Sequence, residues 1–426
     1  MRHFPPRPGG QRAEHGTATR RRWRGWVSLG GCLLLWCLAA PAAALEGPPA
    51  GQAPEPHTGE PSVPAAETKT APATSDWHYG GFIDLGASID FNFPDNHQFR
   101  SRGTTPRANE LDLNMALVYA RKDISAGSPW GLELAIQTGQ DARAFAFATG
   151  DPTVDFADQL RQFGKANVSY LASIGKGLTL QAGLFSSLIG YESLYAKDNP
   201  NYSRAWIADF SPYLMFGVNA SYPFSDQLTG TLYVIRRYFH LANENNLPSY
   251  GAQLAYKPSA PWTLKETLYY GPDQADTALE FWRTFSDTIV EWKSGTLTIA
   301  LDHQIGTEKL VGSGRRTFWW GAALYTRWNV SGPWSIAVRP EFYWDRNGRL
   351  TGAEQFVKAL TTTLEYKVPW PYAWTNVILR VEYRFDESTG VGGGFFKDGE
   401  VSPGVLKLTP GRHALTFAAI WTFDSP

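Results

Sequence analysis

From Tyr79 onward the chain alternates. Gly81, Ile83, Leu85, Ala87, Ile89, Phe91 and Phe93 fall on one face of an extended segment, while Gly80, Asp84, Gly86, Ser88, Asp90 and Asn92 lie mostly on the other. A two-faced run of this length suits a tilted membrane span of about 9 to 11 residues better than the strands of about 5 or 6 residues usual in water-soluble domains. The pattern recurs. Leu111, Leu113, Met115, Leu117 and Tyr119 alternate with Asp112, Asn114 and Ala116, and Trp130, Leu132, Leu134 and Ile136 alternate with Glu133 and Gln137. At the far end Leu415, Phe417, Ala419, Trp421 and Phe423 share one face, ahead of a short Asp424-Ser425-Pro426 extension. Following the alternation predicts about 16 strands. They begin near residues 79, 110, 130, 162, 178, 213, 228, 250, 262, 282, 296, 318, 334, 357, 376 and 413. The tenth, from Trp282 to Trp292, is ambiguous on both faces.

The links between these segments alternate in length. Short ones fall at residues 125–129, 174–177, 223–227, 257–261, 293–295, 329–333 and, somewhat longer, 368–375, with long loops between them. This asymmetry predicts an all-β fold: an antiparallel transmembrane β-barrel over residues 77–426, with short periplasmic turns and long outward loops. An even strand count returns both ends to the periplasm. Trp130, Trp262, Trp292, Trp328, Trp334, Trp370, Trp374 and Trp421 sit near the predicted turns, as an interfacial girdle would. A soluble β core is the alternative for these rings. Long two-faced strands joined by alternating short and long links argue against it.

Residues 1–44 read as a secretory signal peptide, with a basic run from Arg20 to Arg24, an apolar run from Val27 to Ala40 and a small-residue cleavage site at Ala42-Ala43-Ala44. Leu29-Gly30-Gly31-Cys32 has the form of a lipobox, but almost no apolar stretch precedes it. The arginine run resembles a twin-arginine signal. That route carries folded cargo, which a lipid-facing barrel cannot be before it reaches its membrane, so general secretion to the cell outer membrane is expected. Both cysteines, Cys32 and Cys37, lie in the signal, and the mature chain is expected to have none. Residues 45–76 are Pro- and Ala-rich without periodicity and read as a disordered linker.

A formal net charge of -1 gives the chain no overall charge bias toward nucleic acid. Negative mean hydropathy is no objection to a membrane barrel, because only alternate residues face lipid. The loop from Gly190 to Pro212 is among the longest, and Lys197, Asp198, Arg204 and Asp209 are its candidate pore-constriction residues. An ordinary surface loop is the other reading. Inward positions of later strands carry Arg237, Lys265, Arg327, Arg339, Glu341, Arg380, Glu382 and Arg384 as candidate pore-wall residues. A cationic strip facing Asp198 and Asp209 would set a transverse field; alternatively these charges pair with one another.

No catalytic site, metal or cofactor is expected. The histidines expected in the mature chain, His57, His78, His97, His240, His303 and His413, show no metal-ligand spacing, and there is no Gly-x-Ser-x-Gly elbow. Gly392-Gly393-Gly394 lacks the strand and helix of a phosphate cradle and reads as loop flexibility.

Several stretches carry a family resemblance: Gly81-Phe82-Ile83-Asp84-Leu85, Asn92-Phe93-Pro94 to Phe99-Arg100-Ser101-Arg102, Asn114-Met115-Ala116, Leu180-Gln181-Ala182-Gly183-Leu184-Phe185, Gly190-Tyr191-Glu192 and Tyr213-Leu214-Met215-Phe216-Gly217-Val218-Asn219. In these the chain resembles the bacterial β-barrel porins of the second, OmpL-like type, from about Tyr79 onward. The resemblance implies a porin-like barrel and names no cargo. The expected function is an outer-membrane channel for passive diffusion of small hydrophilic solutes. The alternatives are a closed or plugged barrel that presents residues 94–109 and 386–412 as a binding or structural surface, and, with less support, an outer-membrane hydrolase. Expected partners are outer-membrane lipid, those solutes and the barrel-assembly machinery. A homotrimer is one assembly open to such a barrel, through a wall patch that a single sequence does not reveal.

Overall fold

The computed structural model describes residues 77–425, except 126, 144–150 and 373. The signal and linker read at residues 1–44 and 45–76 lie outside the described residues. Strands β1 (Trp77–Asp90), β2 (Glu110–Lys122), β3 (Trp130–Thr138), β4 (Phe163–Ala172), β5 (Leu178–Ser186), β6 (Leu214–Pro223), β7 (Leu228–Ile235) and β8 (Ser249–Tyr256) form the first half of an antiparallel barrel. The second half comprises β9 (Trp262–Gly271), β10 (Arg283–Ser294), β11 (Leu297–Lys309), β12 (Arg316–Ser331), β13 (Trp334–Asp345), β14 (Gln355–Val368) and β15 (Thr375–Thr389). A separate hairpin, β16 (Phe395–Ser402) with β17 (Val405–Thr409), rises from the last long loop, and β18 (Gly411–Asp424) closes the barrel between β15 and β1. The result is a closed barrel of 16 strands, each starting within two residues of the position read from the alternation.

The alternation works as the pleat requires, with successive side chains on opposite faces. On β15, Arg380, Glu382, Arg384 and Asp386 are buried toward the lumen while Leu379, Val381 and Tyr383 are exposed on the outer wall. The short links gather at one end of the barrel, where Trp130 packs on Tyr170 with ring centroids 4.6 Å apart and Trp334 on Tyr366 at 4.5 Å. Trp262 stands directly across from Trp292 in the ladder. These rings form the expected outward girdle.

β2 departs from its simple reading. A bulge shifts the β1–β2 register between Asp84 and Leu85, so that Asp84 faces Met115 and Leu85 faces Leu113. One extra residue exchanges the two faces of everything beyond it. Met115 and Leu117 therefore point into the lumen, 1% and 5% exposed, and Val118 takes the outer face at 54%. Strand β10 resolves in the opposite way: Arg283, Phe285, Asp287 and Ile289 turn inward, and Thr284, Ser286 and Thr288 turn outward.

Candidate functional site

The segment 187–213, which joins β5 to β6, does not lie over the barrel rim. It folds into the lumen, with a 3₁₀ turn at Ala196–Asp198 and one helical turn, α1, at Trp206–Asp209. Asn201, Tyr202, Arg204, Trp206 and Asp209 are each at most 1% exposed. Burying that much irregular backbone requires partners for its N–H and C=O groups, and the barrel wall supplies them.

At the segment's entrance the Gly190 N–H donates to Asp287 and the Tyr191 N–H to Asp302, both at 2.9 Å, from β10 and β11. Further along, Arg380 on β15 donates to the carbonyls of Ala196 and Asn199 at 2.8 Å and of Asn201 at 3.3 Å, while holding Glu365 of β14 at 2.6 Å. Glu382 accepts from the N–H groups of Tyr202 and Ser203 at 2.6 and 2.9 Å. Arg339 on β13 donates to Ser203 O and pairs with Glu192, at 2.7 and 2.8 Å. Arg384 donates to Arg204 O at 2.9 Å, and Glu341 accepts from Trp206 N–H at 2.6 Å. On the same arc of wall, two strands from β15, Tyr202 reaches β1, where its hydroxyl donates to Asp84 at 2.8 Å, and Asn114 of β2 donates to that hydroxyl at 2.6 Å.

The wall is also shaped for the segment. A Cβ added to Gly86 would lie 2.4 Å from the Tyr202 hydroxyl, and one on Gly321 would lie 2.5 Å from Ile207. Beside the polar clamps, α1 and the residue after it lay Trp206 and Phe210 against aromatic side chains, Phe210 stacking on Tyr343 at 5.3 Å and Trp206 lying 6.2 Å from Phe395 of the hairpin.

The residues singled out in the sequence come to lie in several different places. Arg339, Glu341, Arg380, Glu382 and Arg384 do face inward and converge on one feature, the inserted segment. They are not a free cationic strip, because each binds loop backbone and the three arginines are also paired with carboxylates. Arg204 and Asp209 are likewise buried within the inserted segment. Arg204 pairs with Asp141 at 3.1 Å, and Asp209 with Arg102 at 2.9 Å. A transverse field between the arginines and Asp209 therefore does not describe this lumen. Burial draws the Arg102 guanidinium down to about 10, with Asp209 opposing, so it stays charged at neutral pH. Arg237 is displaced from its expected place. The β6–β7 ladder ends at Gly217 and Ile235, and Arg237 lies in the following loop, 3.4 Å from Glu244 and 3.6 Å from Asp273.

Lys265 and Arg327 are inward and less enclosed, Arg327 pairing with Glu365. Lys197 and Asp198 pair at 2.8 Å and line a cavity of about 270 Å³ beside β1 to β4, with Arg121, Glu133, Lys165 and Tyr195. Lys165 and Glu133 form a second pair in its wall at 2.6 Å. A second cavity, of about 390 Å³, opens at the long-loop end among Arg237, His240, Asp273, Arg283 and Arg349.

Sequence reading passed over Asp84, Arg102, Asp141, Glu192 and Trp206 as individual contributors. Asp84, Arg102 and Glu192 stand inside stretches that carry the family resemblance, which was the available signal. The three glycines at residues 392–394 also have a definite role: Arg100, from another such stretch, donates to the carbonyls of Gly392 and Gly394 at 2.8 Å.

The sequence model of a family described as "Putative beta-barrel porin-2, OmpL-like" matches residues 77–423, essentially the whole barrel. The chain belongs to this porin family. As a porin-family barrel it is an outer-membrane protein. No curated protein is significantly similar in sequence. Among solved structures the porin is similar to OmpT, an outer membrane protein of Vibrio cholerae (TM-score 0.48, 10% identity, covering 83% of this chain and 98% of that one). It is also similar to an anion-selective porin from Comamonas acidovorans (TM-score 0.47, 10% identity, 82% and 99% covered). A third is Salmonella typhi OmpF in complex with daunomycin (TM-score 0.47, 11% identity, 82% and 97% covered).

Proposed function

We propose that this porin is a channel for passive diffusion of small hydrophilic solutes, throttled by residues 187–213. The observation that carries the reading is a segment held inside a polar-walled barrel with charge-lined cavities beside and beyond it. Charged and hydrogen-bonding walls lower the cost of bringing a polar solute through a low-dielectric membrane. Lys165, Glu133, Lys197 and Asp198 form the collar that such solutes meet, whereas Arg339, Arg380 and Arg384 act through the segment they hold. Export by general secretion, insertion by barrel-assembly machinery and assembly as a homotrimer belong to the same proposal.

The test is the conductance of the purified protein in planar bilayers. Discrete ion currents are expected, and exchanging Lys165 and Lys197 for Glu should move the reversal potential toward cation preference. A folded, heat-modifiable barrel that passes no current would refute the channel. That outcome would favour a sealed barrel, a reading for which the packing of Ile207 against Gly321 of β12 and of Phe210 on Tyr343 of β13 is the supporting observation.

A further inference from the structure

Without its bulge, β2 would turn Ala116, Val118 and Ala120 toward the lumen in its short-turn half. With it, Leu117, Tyr119 and Arg121 face inward instead. Leu117 stands across from Phe82 of β1, and Tyr119 across from Ala135 of β3. Phe82, Leu117 and Ala135, each at most 5% exposed, form the floor of the cavity of about 270 Å³ that the inserted segment borders with Tyr195, Lys197 and Asp198. The Tyr195 ring meets Phe82 edge-on at 5.3 Å, and Lys197 Nζ lies 5.7 Å from the centre of the Phe82 ring.

Two ion pairs border this apolar floor. One belongs to the barrel wall, Lys165 with Glu133, and the other to the inserted segment, Lys197 with Asp198. All four side chains are partly exposed, so hydrogen-bonding positions stay open on them: an ammonium has three donors and a carboxylate about four acceptor sites. Arg121, in the same wall, is held by Asp123 at 2.8 Å. Neither sign prevails at the two pairs. A solute with a single charge would match one member of each pair and be repelled by the other, whereas one carrying both charges matches both. A wall that had only to wet a passing ion would gain nothing from Leu117 and Phe82, but a solute with an apolar body removes that surface from water. The cavity volume corresponds to roughly nine waters at about 30 Å³ each, room for about nine non-hydrogen atoms.

We propose that this cavity binds small zwitterions with an apolar side chain, amino acids of about the size of leucine, with the carboxylate at Lys165 and Lys197, the ammonium at Glu133 and Asp198, and the side chain on Phe82, Leu117 and Ala135. The proposal rests on the channel reading above and names the solute class that the collar selects.

The test uses the purified protein and compares leucine with glycine, which lacks the apolar body, with 4-methylpentanoate, which lacks the ammonium, and with 3-methylbutylamine, which lacks the carboxylate. Saturation-transfer NMR in micelles reads binding without current, and interruption of the KCl current in planar bilayers reads it in the conducting state. Leucine should bind about tenfold more tightly than each of the other three, a margin of about 1.4 kcal/mol in apolar burial or ion pairing. Leu117→Asn, in a barrel that is still heat-modifiable and so folded, should remove the margin of leucine over glycine. If that variant does not fold, the comparison of solutes on the unaltered chain decides. Equal binding of leucine and glycine, binding of 4-methylpentanoate or 3-methylbutylamine as tight as that of leucine, or a folded Leu117→Asn barrel that keeps the margin would each overturn the proposal. Leucine binding by NMR in a barrel that passes no KCl current would refute the channel and keep the binding site, whereas KCl current without leucine binding would refute the site and keep the channel.

Discussion

Replacing Arg380 by Met isolates what holds the inserted segment to the wall. The guanidinium makes three hydrogen bonds to carbonyls of residues 196, 199 and 201, and Met keeps most of its volume without any of them. Glu365 is not stranded, because Arg327 still pairs with it. Hydrogen bonds to a charged group contribute about 1.5 to 3 kcal/mol each, so at the lower figure the three together contribute about 4.5 kcal/mol. Since about 1.4 kcal/mol is tenfold in an equilibrium, the fraction of time that the central turn leaves the wall should rise about a thousandfold. The anchors at Arg339, Glu382 and Asp84 remain, so the barrel stays folded. Two assays read the outcome: single-channel conductance, expected to rise and become noisier, and labelling of Asn199→Cys by a membrane-impermeant thiol reagent, expected to accelerate. If conductance and labelling both match the parent, the Arg380 clamp does not restrain the segment and the reasoning fails.

Glu192→Gln should lower the urea midpoint of the bilayer-embedded barrel, because it leaves Arg339 as a buried cation short of one partner; removing one member of such a pair typically costs about 3 to 5 kcal/mol. An unchanged midpoint would remove Glu192 from the clamp. For the β2 bulge, a spin label at Val118→Cys should be more accessible to oxygen than to a polar nickel complex, and one at Leu117→Cys should show the reverse; the opposite order would restore the unbroken alternation. Deleting residues 397–407 should leave a heat-modifiable barrel, since β15 pairs directly with β18, while loss of the barrel would show that the hairpin is part of it.

The strands were legible because a two-residue period is imposed by lipid on one side and water or polar protein on the other, and that contrast is written into each segment separately. It failed where the contrast was locally inverted. In β2 a one-residue bulge put Met115 and Leu117 against Phe82 and Tyr195 inside the lumen, and apolar residues in the lumen look the same in sequence as apolar residues in lipid. In β10 the hydroxyls on the outer wall blurred the pattern from the other side. The long inserted loop was also legible, as length and as a cluster of charges. Its attachment was not, because Arg380 holding a carbonyl near residue 199, or Tyr202 reaching Asp84, is a pairing between distant positions that no local pattern records. For the same reason a sequence offers Arg339, Arg380 and Arg384 either as a free strip or as paired charges, and does not record that their partners include the backbone of residues 196–204.

The seam of the barrel joins β1 to β18, with Gly80 opposite Asp424 at one end of the ladder and Asp90 opposite Ala414 at the other. These partners are separated by nearly the full length of the described chain, so the contact that closes the ring carries the greatest loop-closure entropy in the molecule and forms late in folding. Until then both terminal strands present open backbone edges, which a bilayer does not tolerate and which invite pairing with other chains. A chain stopped short of β18 would therefore have no stable partial form to fall back on. For this fold, completion of the ring and entry into the membrane are one event.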